Sequence, residues 1–139
     1  MPQEDALSIS ASALAVQRTR INVIAENIAN AQTSRTAAGG PYRRRVVNVG
    51  AETSFANIVG AQMEPRGVKV SSIAEVGGTR RSYLPGHPDA DADGYLDLPD
   101  INPVSEMTDL MAATRAYEAS VTAIQAAKAM ANRALEIGR

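Results

Sequence analysis

The segment Asp89 to Asp100, DADADGYLDLPD, places five carboxylates in twelve residues, at loop positions 1, 3, 5, 9 and 12. Glycine stands at position 6 and leucine at position 8, so the spacing is that of a calcium loop of the EF-hand type. Such a loop needs a helix on each side to hold its ligands. Pro85, Gly86 and Pro88 precede it here, Pro99 falls inside it and Pro103 follows, and helices do not form through those positions. Asp100 also lacks the reach of the glutamate that normally closes the site. The expectation is a solvated turn whose carboxylates cap their own backbone. A calcium-binding module built on Asp89, Asp91, Asp93, Asp97 and the Tyr95 carbonyl is the alternative; otherwise no metal and no cofactor is implied.

Other chemistry is sparse. His87 is the only histidine and stands between Gly86 and Pro88, as a turn residue would. The chain has no cysteine, which excludes disulfides, thiolate nucleophiles and cysteine-bound zinc. No serine elbow, phosphate-binding glycine loop or HExxH helix occurs, so the chain is not expected to be an enzyme. The net charge of −1 gives no basis for binding nucleic acid, and Arg43 to Arg45 and Arg80-Arg81 are expected on solvated strand faces. No 18-residue apolar stretch is present, so direct membrane insertion is not expected. Residues 1 to 20 lack a basic start with an unbroken apolar run, so no cleaved signal peptide is expected.

Two long helices frame these residues. Leu7, Leu14, Ile21 and Ile28 recur every seven residues and predict an N-terminal helix of about 25 residues. Ile9, Val16 and Val23 form a second row on another side of it. The first row is expected to pair with the C-terminal helix and the second to meet neighbouring subunits. Asn102 and Pro103 suit a helix cap and first position. After them Met107, Leu110, Thr114, Tyr117, Val121, Ile124, Ala131 and Leu135 follow alternating three- and four-residue steps, with Lys128 interrupting and Gly138 ending the helix. A helix from Val104 to Ile137 is about 50 Å long, more than the roughly 37 Å across a compact chain of this length.

The fold class expected is mainly α with a small β region, elongated, its terminal helices paired as a coiled coil around a short middle of strands and loops. The divisions are 1–33 for the N-terminal helix, 34–101 for the middle and 102–139 for the C-terminal helix. Within the middle, Tyr42 to Val49 and Gly67 to Val76 read as strands, and Gly77-Gly78 predicts a hairpin from the second onto Thr79 to Leu84. Parts of residues 32 to 66 are expected to stay mobile until something packs on them. One Phe, four Tyr and no Trp give little bulk for a core, and marginal stability follows for a lone chain.

Several strings, in order, carry a family resemblance. NIANAQT (Asn27 to Thr33), preceded by SISASAL (Ser8 to Leu14), resembles the N-terminal signature of bacterial flagellar rod, hook and hook-associated proteins. PYRRRVV (Pro41 to Val47), GVKV (Gly67 to Val70) and YLPGHPDADADGYLDLPDIN (Tyr83 to Asn102) are similar to the small proximal-rod members of that family. EMTDLMAATRAYEASV (Glu106 to Val121) and KAMANRALEIGR (Lys128 to Arg139) resemble its C-terminal helix. Asp100 departs from the family's asparagine, and Ala51 to Arg66 match nothing.

The resemblance implies a structural subunit of the basal-body proximal rod. Such subunits polymerise helically into a drive-shaft across the periplasm and are exported by the flagellar type III apparatus. It implies Asn27 and Asn30, with Ile9, Val16 and Val23, as subunit contacts, and a family turn made by Tyr83, Pro85, His87, Pro88, Asp91, Gly94, Tyr95 and Pro99. Copies of the chain, other rod proteins, and basal-body ring and export-gate proteins are the implied partners. A soluble coiled-coil adaptor or chaperone of a secretion system is the further alternative.

Overall fold

The computed structural model describes residues 2–52 and 67–137. Their order is α1 (Pro2–Ala29), β1 (Arg44–Ala51), β2 (Val68–Val76), β3 (Thr79–Tyr83), β4 (Tyr95–Pro99) and α2 (Pro103–Ile137). The chain is therefore mixed α and β, with two long helices and two small antiparallel sheets. The helix stop at Gly138 and the reading of residues 53–66 lie outside the described residues.

Helix α2 starts where a cap allows it to. The Asn102 Oδ1 accepts from the Val104 amide at 3.0 Å, and Pro103 occupies the first position, which needs no amide donor. At the end of α1, Asn30 turns back on the helix: its Nδ2 donates to the Glu26 carbonyl at 2.9 Å, and its Oδ1 accepts from the Thr33 hydroxyl. Asn30 thus finishes its own helix, whereas the sequence reading expected it at a neighbour.

The helices pack along each other in opposite directions, Asn27 beside Glu106 at one end and Gln17 with Ala116 further along. Their covered faces differ from the rows expected. On α1 the buried residues are Val16, Val23, Ile24 and Asn27, with Ala31 just beyond. The row Leu7, Leu14, Ile21, Ile28 is half-buried and lies roughly 110° around the helix from that stripe at 100° per residue. Val16 and Val23 are therefore covered by the chain itself rather than left for neighbours, because β1 and β2 also lie against α1 and turn that side inward.

On α2 the covered positions step through Glu106, Leu110, Ala113, Tyr117, Ser120, Ile124, Ala127 and Ala131, an unbroken alternation of four and three. Leu110, Tyr117 and Ile124 sit on this seam and Val121 beside it. Met107, Thr114 and Leu135 do not, and are exposed. Lys128 is also exposed and interrupts nothing, since Ala127 occupies the seam. The expected rows followed the bulkiest side chains, whereas among the described residues of α2 the two buried positions are a glutamate and an alanine, Glu106 and Ala113.

Strand β1 pairs with β2 from Arg44 opposite Val76 to Ala51 opposite Val68, with an irregularity at Asn48/Val49. Strand β3 pairs with β4, Thr79 opposite Pro99 and Tyr83 opposite Tyr95. The hairpin expected at Gly77-Gly78 does not form. Gly77 takes a φ of 87°, where glycine alone is unstrained, and β3 leaves β2 for β4. In β4 the alternation of YLDL buries Leu96 and Leu98 and exposes Tyr95 and Asp97. With Ile101 and Val47, these leucines complete the small core.

Candidate functional site

The acidic segment spends its carboxylates on its own loop and its surroundings. The Asp91 Oδ1 accepts from the Asp93 amide at 3.1 Å and the Tyr95 amide at 2.8 Å, and its other oxygen accepts from Arg81. Asp89 accepts from the Ser34 hydroxyl at 2.8 Å and lies 3.6 Å from the Arg35 guanidinium. Among the described residues, no three carboxylate or histidine side chains converge in a way that could hold a metal ion.

This is the turn that joins β3 to β4. Leu84 donates to the Gly94 carbonyl, and Asp91 to that of Tyr95. The Tyr83 and Tyr95 rings meet at 5.2 Å and Arg81 lies 4.9 Å from the Tyr95 ring centre, an arrangement that favours a cation over an aromatic face. Gly94 has φ 80°, and a Cβ there would stand 3.0 Å from Tyr83 Cε2, so both conformation and space call for glycine. Pro85, His87 and Pro88 are exposed along the outside of the turn, and Pro99 is buried at its base. His87 uses its Nδ1 to accept from the Asp89 amide at 3.2 Å.

The Tyr95 amide and the Arg81 guanidinium hold the Asp91 carboxyl below its ordinary value of 3.8. A carboxyl held lower in the folded chain supports the turn above its unfolded value and loses that support as pH falls through the folded one. An NMR titration is expected to place the Asp91 carboxyl below its ordinary value. The Tyr95 amide should shift with the same midpoint.

A second cluster lies inside the molecule, where α1, β1 and α2 meet. Asn27 is 1% exposed and all its hydrogen-bonding capacity is used. Its Nδ2 donates to the Arg45 carbonyl at 2.8 Å and to Glu106 Oε2 at 3.0 Å. Its Oδ1 accepts from the Arg45 amide at 2.9 Å and the Tyr42 hydroxyl at 3.1 Å. Glu106, 2% exposed, receives Arg44 on its other oxygen, Nε at 2.7 Å and Nη2 at 2.6 Å. Burial pushes the Tyr42 hydroxyl above its usual 10.0, against the opposing pull of Arg45.

The cluster ties three elements together through side chains that satisfy one another. It borders a cleft of about 360 Å³ between the helices and β1, whose far wall is Ala112, Ala113 and Ala116. Nothing in it resembles a catalytic pair: the carboxylate is neutralised by a guanidinium and the amide is fully used. Its chemistry is that of a joint.

Sequence reasoning placed Asn27 at a subunit contact, and the structure places it within the chain instead. It missed Glu106 and Arg44 as partners, reading the arginine as part of a solvated run. The signal was the polar residue on each covered stripe, Asn27 on α1 and Glu106 on α2. Each stands where the helix is otherwise apolar or small.

Comparison with known proteins covers both ends and the middle of this architecture. Residues 7–35 match the model of the flagella basal body rod protein family, and residues 92–137 match that of the flagellar basal body rod FlgEFG protein C-terminal region. The flagellar basal-body rod protein FlgC of Bacillus subtilis is 43% identical over 96% of each chain. FlgC of Borreliella burgdorferi is 38% identical over 94% of each, and FlgC of Salmonella typhimurium 36% over 94% of each.

Proposed function

The chain belongs to the FlgC family of flagellar basal-body rod proteins, and we propose that it serves the rod as a structural subunit, its helices paired as a coiled coil and its uncovered apolar side chains packed on neighbouring subunits. It is a rod component of the flagellar basal body, and no helix of the described residues is long and apolar enough to cross a membrane.

The observation that carries the packing is apolar surface at both ends of α2. Val104, Met107 and Met111 share one face by their spacing of three and four, and Val104 is 72% exposed. Toward the other end Met130 is exposed, and Leu135 is 73% exposed. From Met111 to Met130 the helix runs 19 residues, about 28 Å, between the two patches. Different patches at opposite ends suit a contact in which one end meets another subunit's other end, and repetition without closure then builds a filament. Ile9, exposed on α1, adds to that surface.

On this reading the chain divides at residues 33 and 101 into two helical ends and a strand-rich middle. Its subunits repeat helically into a drive-shaft across the periplasm, and torque passes through packed helices. Its neighbours are its own copies, other rod proteins, and ring and export-gate proteins. The small core suits passage through the type III apparatus in an unfolded form.

Met107→Glu combined with Met111→Glu tests the packing. Burying one such side chain contributes about 1.5–3 kcal/mol, so the pair is expected to lower recovery of the protein in detergent-extracted basal bodies by at least about tenfold. Helical circular dichroism of the purified chain should be unchanged, since both side chains already face solvent. Normal recovery would remove this surface from the assembly.

A further inference from the structure

We infer that Asn27, Glu106 and Arg44 form a register lock, the contact that selects one alignment of α1 along α2 from several that the rest of the helix pair would accept. The inference concerns the fold of one chain and stands apart from its packing into a rod.

A repeat of seven makes the seam permissive. Beyond Glu106, the α2 stripe alternates large apolar groups at Leu110, Tyr117 and Ile124 with small ones at Ala113, Ser120 and Ala127, each set repeating every seven residues, so a slip of one heptad sets large against large and small against small. An apolar repeat of seven residues is nearly the same surface after sliding by one heptad, and a buried polar residue at one seam position is the established way to break that equivalence. Here sliding has specific consequences. Moved one heptad one way, Glu106 faces Arg20, which lies one heptad before Asn27 on α1; moved the other way, Asn27 faces Ala113 and Glu106 passes the end of α1.

The third member makes the choice sharp. Asn27 grips β1 at two points, the amide and the carbonyl of Arg45, so Arg44 is fixed relative to α1. Glu106 then meets Asn27 and the Arg44 guanidinium together in a single alignment. In either slipped alignment Arg44 stays with α1 and loses Glu106. In the first slip Arg20 can answer Glu106 but Arg44 and Asn27 lose their carboxylate, and in the second both lose it as well, so each slip leaves polar groups of the joint without a partner.

The test uses the chain's lack of cysteine. Ala15→Cys and Ala126→Cys, both exposed, take spin labels on the full-length protein, and pulsed electron resonance reads their separation. The native triad is expected to give one narrow distance. The variant Asn27→Leu, Arg44→Met, Glu106→Leu replaces the triad by apolar side chains of similar size, and should keep its helical signal while showing a second distance. A slip of one heptad moves the helices about 10 Å along each other. Glu106→Gln alone, which keeps a hydrogen-bonding side chain at the seam, is expected to retain most of the single distance. One unchanged distance in the apolar variant would overturn the lock, as would a broad distribution in the parent chain. Loss of helix in the apolar variant would overturn it too, by assigning the triad to stability instead.

Discussion

Glu106→Ala is expected to remove most of the stability of the isolated chain and to leave cells without rods that contain it. The carboxylate is 2% exposed and answers Arg44 and Asn27 at once. Removing it strands a guanidinium and an amide donor in the joint between α1, β1 and α2. Breaking a buried pair from one side costs about 3–5 kcal/mol, against a total stability for a domain of about 5–15 kcal/mol. This chain belongs near the bottom of that range, since the buried apolar side chains among the described residues are few and none is aromatic. Arg44→Ala should cost at least as much, because it leaves the buried Glu106 carboxylate without its counter-charge, whereas Glu106→Ala leaves a guanidinium that is already partly exposed. Urea unfolding followed by circular dichroism measures both. A Glu106→Ala chain within about 1 kcal/mol of the parent would mean that the joint adds little to stability.

The two helices and the first two strands were legible because each repeats a local signal over many residues: seven-residue spacing, a cap at Asn102-Pro103, and runs of β-branched side chains. What the helices cover was not. Leu7, Leu14, Ile21 and Ile28 form the most hydrophobic row, yet they are half-buried, while Val16, Val23 and Asn27 face the interior. Side-chain hydrophobicity ranks a helix's faces only when one partner competes for them. Here β1 and β2 lie against α1 beside α2 and draw a different face inward. Strand β4 was hidden for a related reason. Its alternation, Tyr95 to Pro99, overlaps the acidic spacing of a calcium loop, and the carboxylates drew the reading away from Leu96 and Leu98. The partners of Glu106 were beyond reach of sequence spacing, since 62 and 79 residues separate it from Arg44 and Asn27.

The same correction makes the second large prediction. Val16→Ala with Val23→Ala is expected to destabilise the chain more than Leu7→Ala with Leu14→Ala, although the leucine pair removes more carbon. Both valines are buried, and fully burying one contributes about 1.5–3 kcal/mol, to which truncation adds the cavity it leaves. Seven residues along a helix set them about 10 Å apart, far enough for their losses to add. A combined cost of about 3–5 kcal/mol follows. Leu7 and Leu14 are half-buried, so part of each side chain is already in water and the space it leaves opens to solvent rather than forming a void. Their pair should cost about half as much in urea unfolding. If the leucine row proved the costlier, α1 would have to turn its Leu7 face toward α2, and the packing of Val16 and Val23 against the chain's own strands would not be its solution structure.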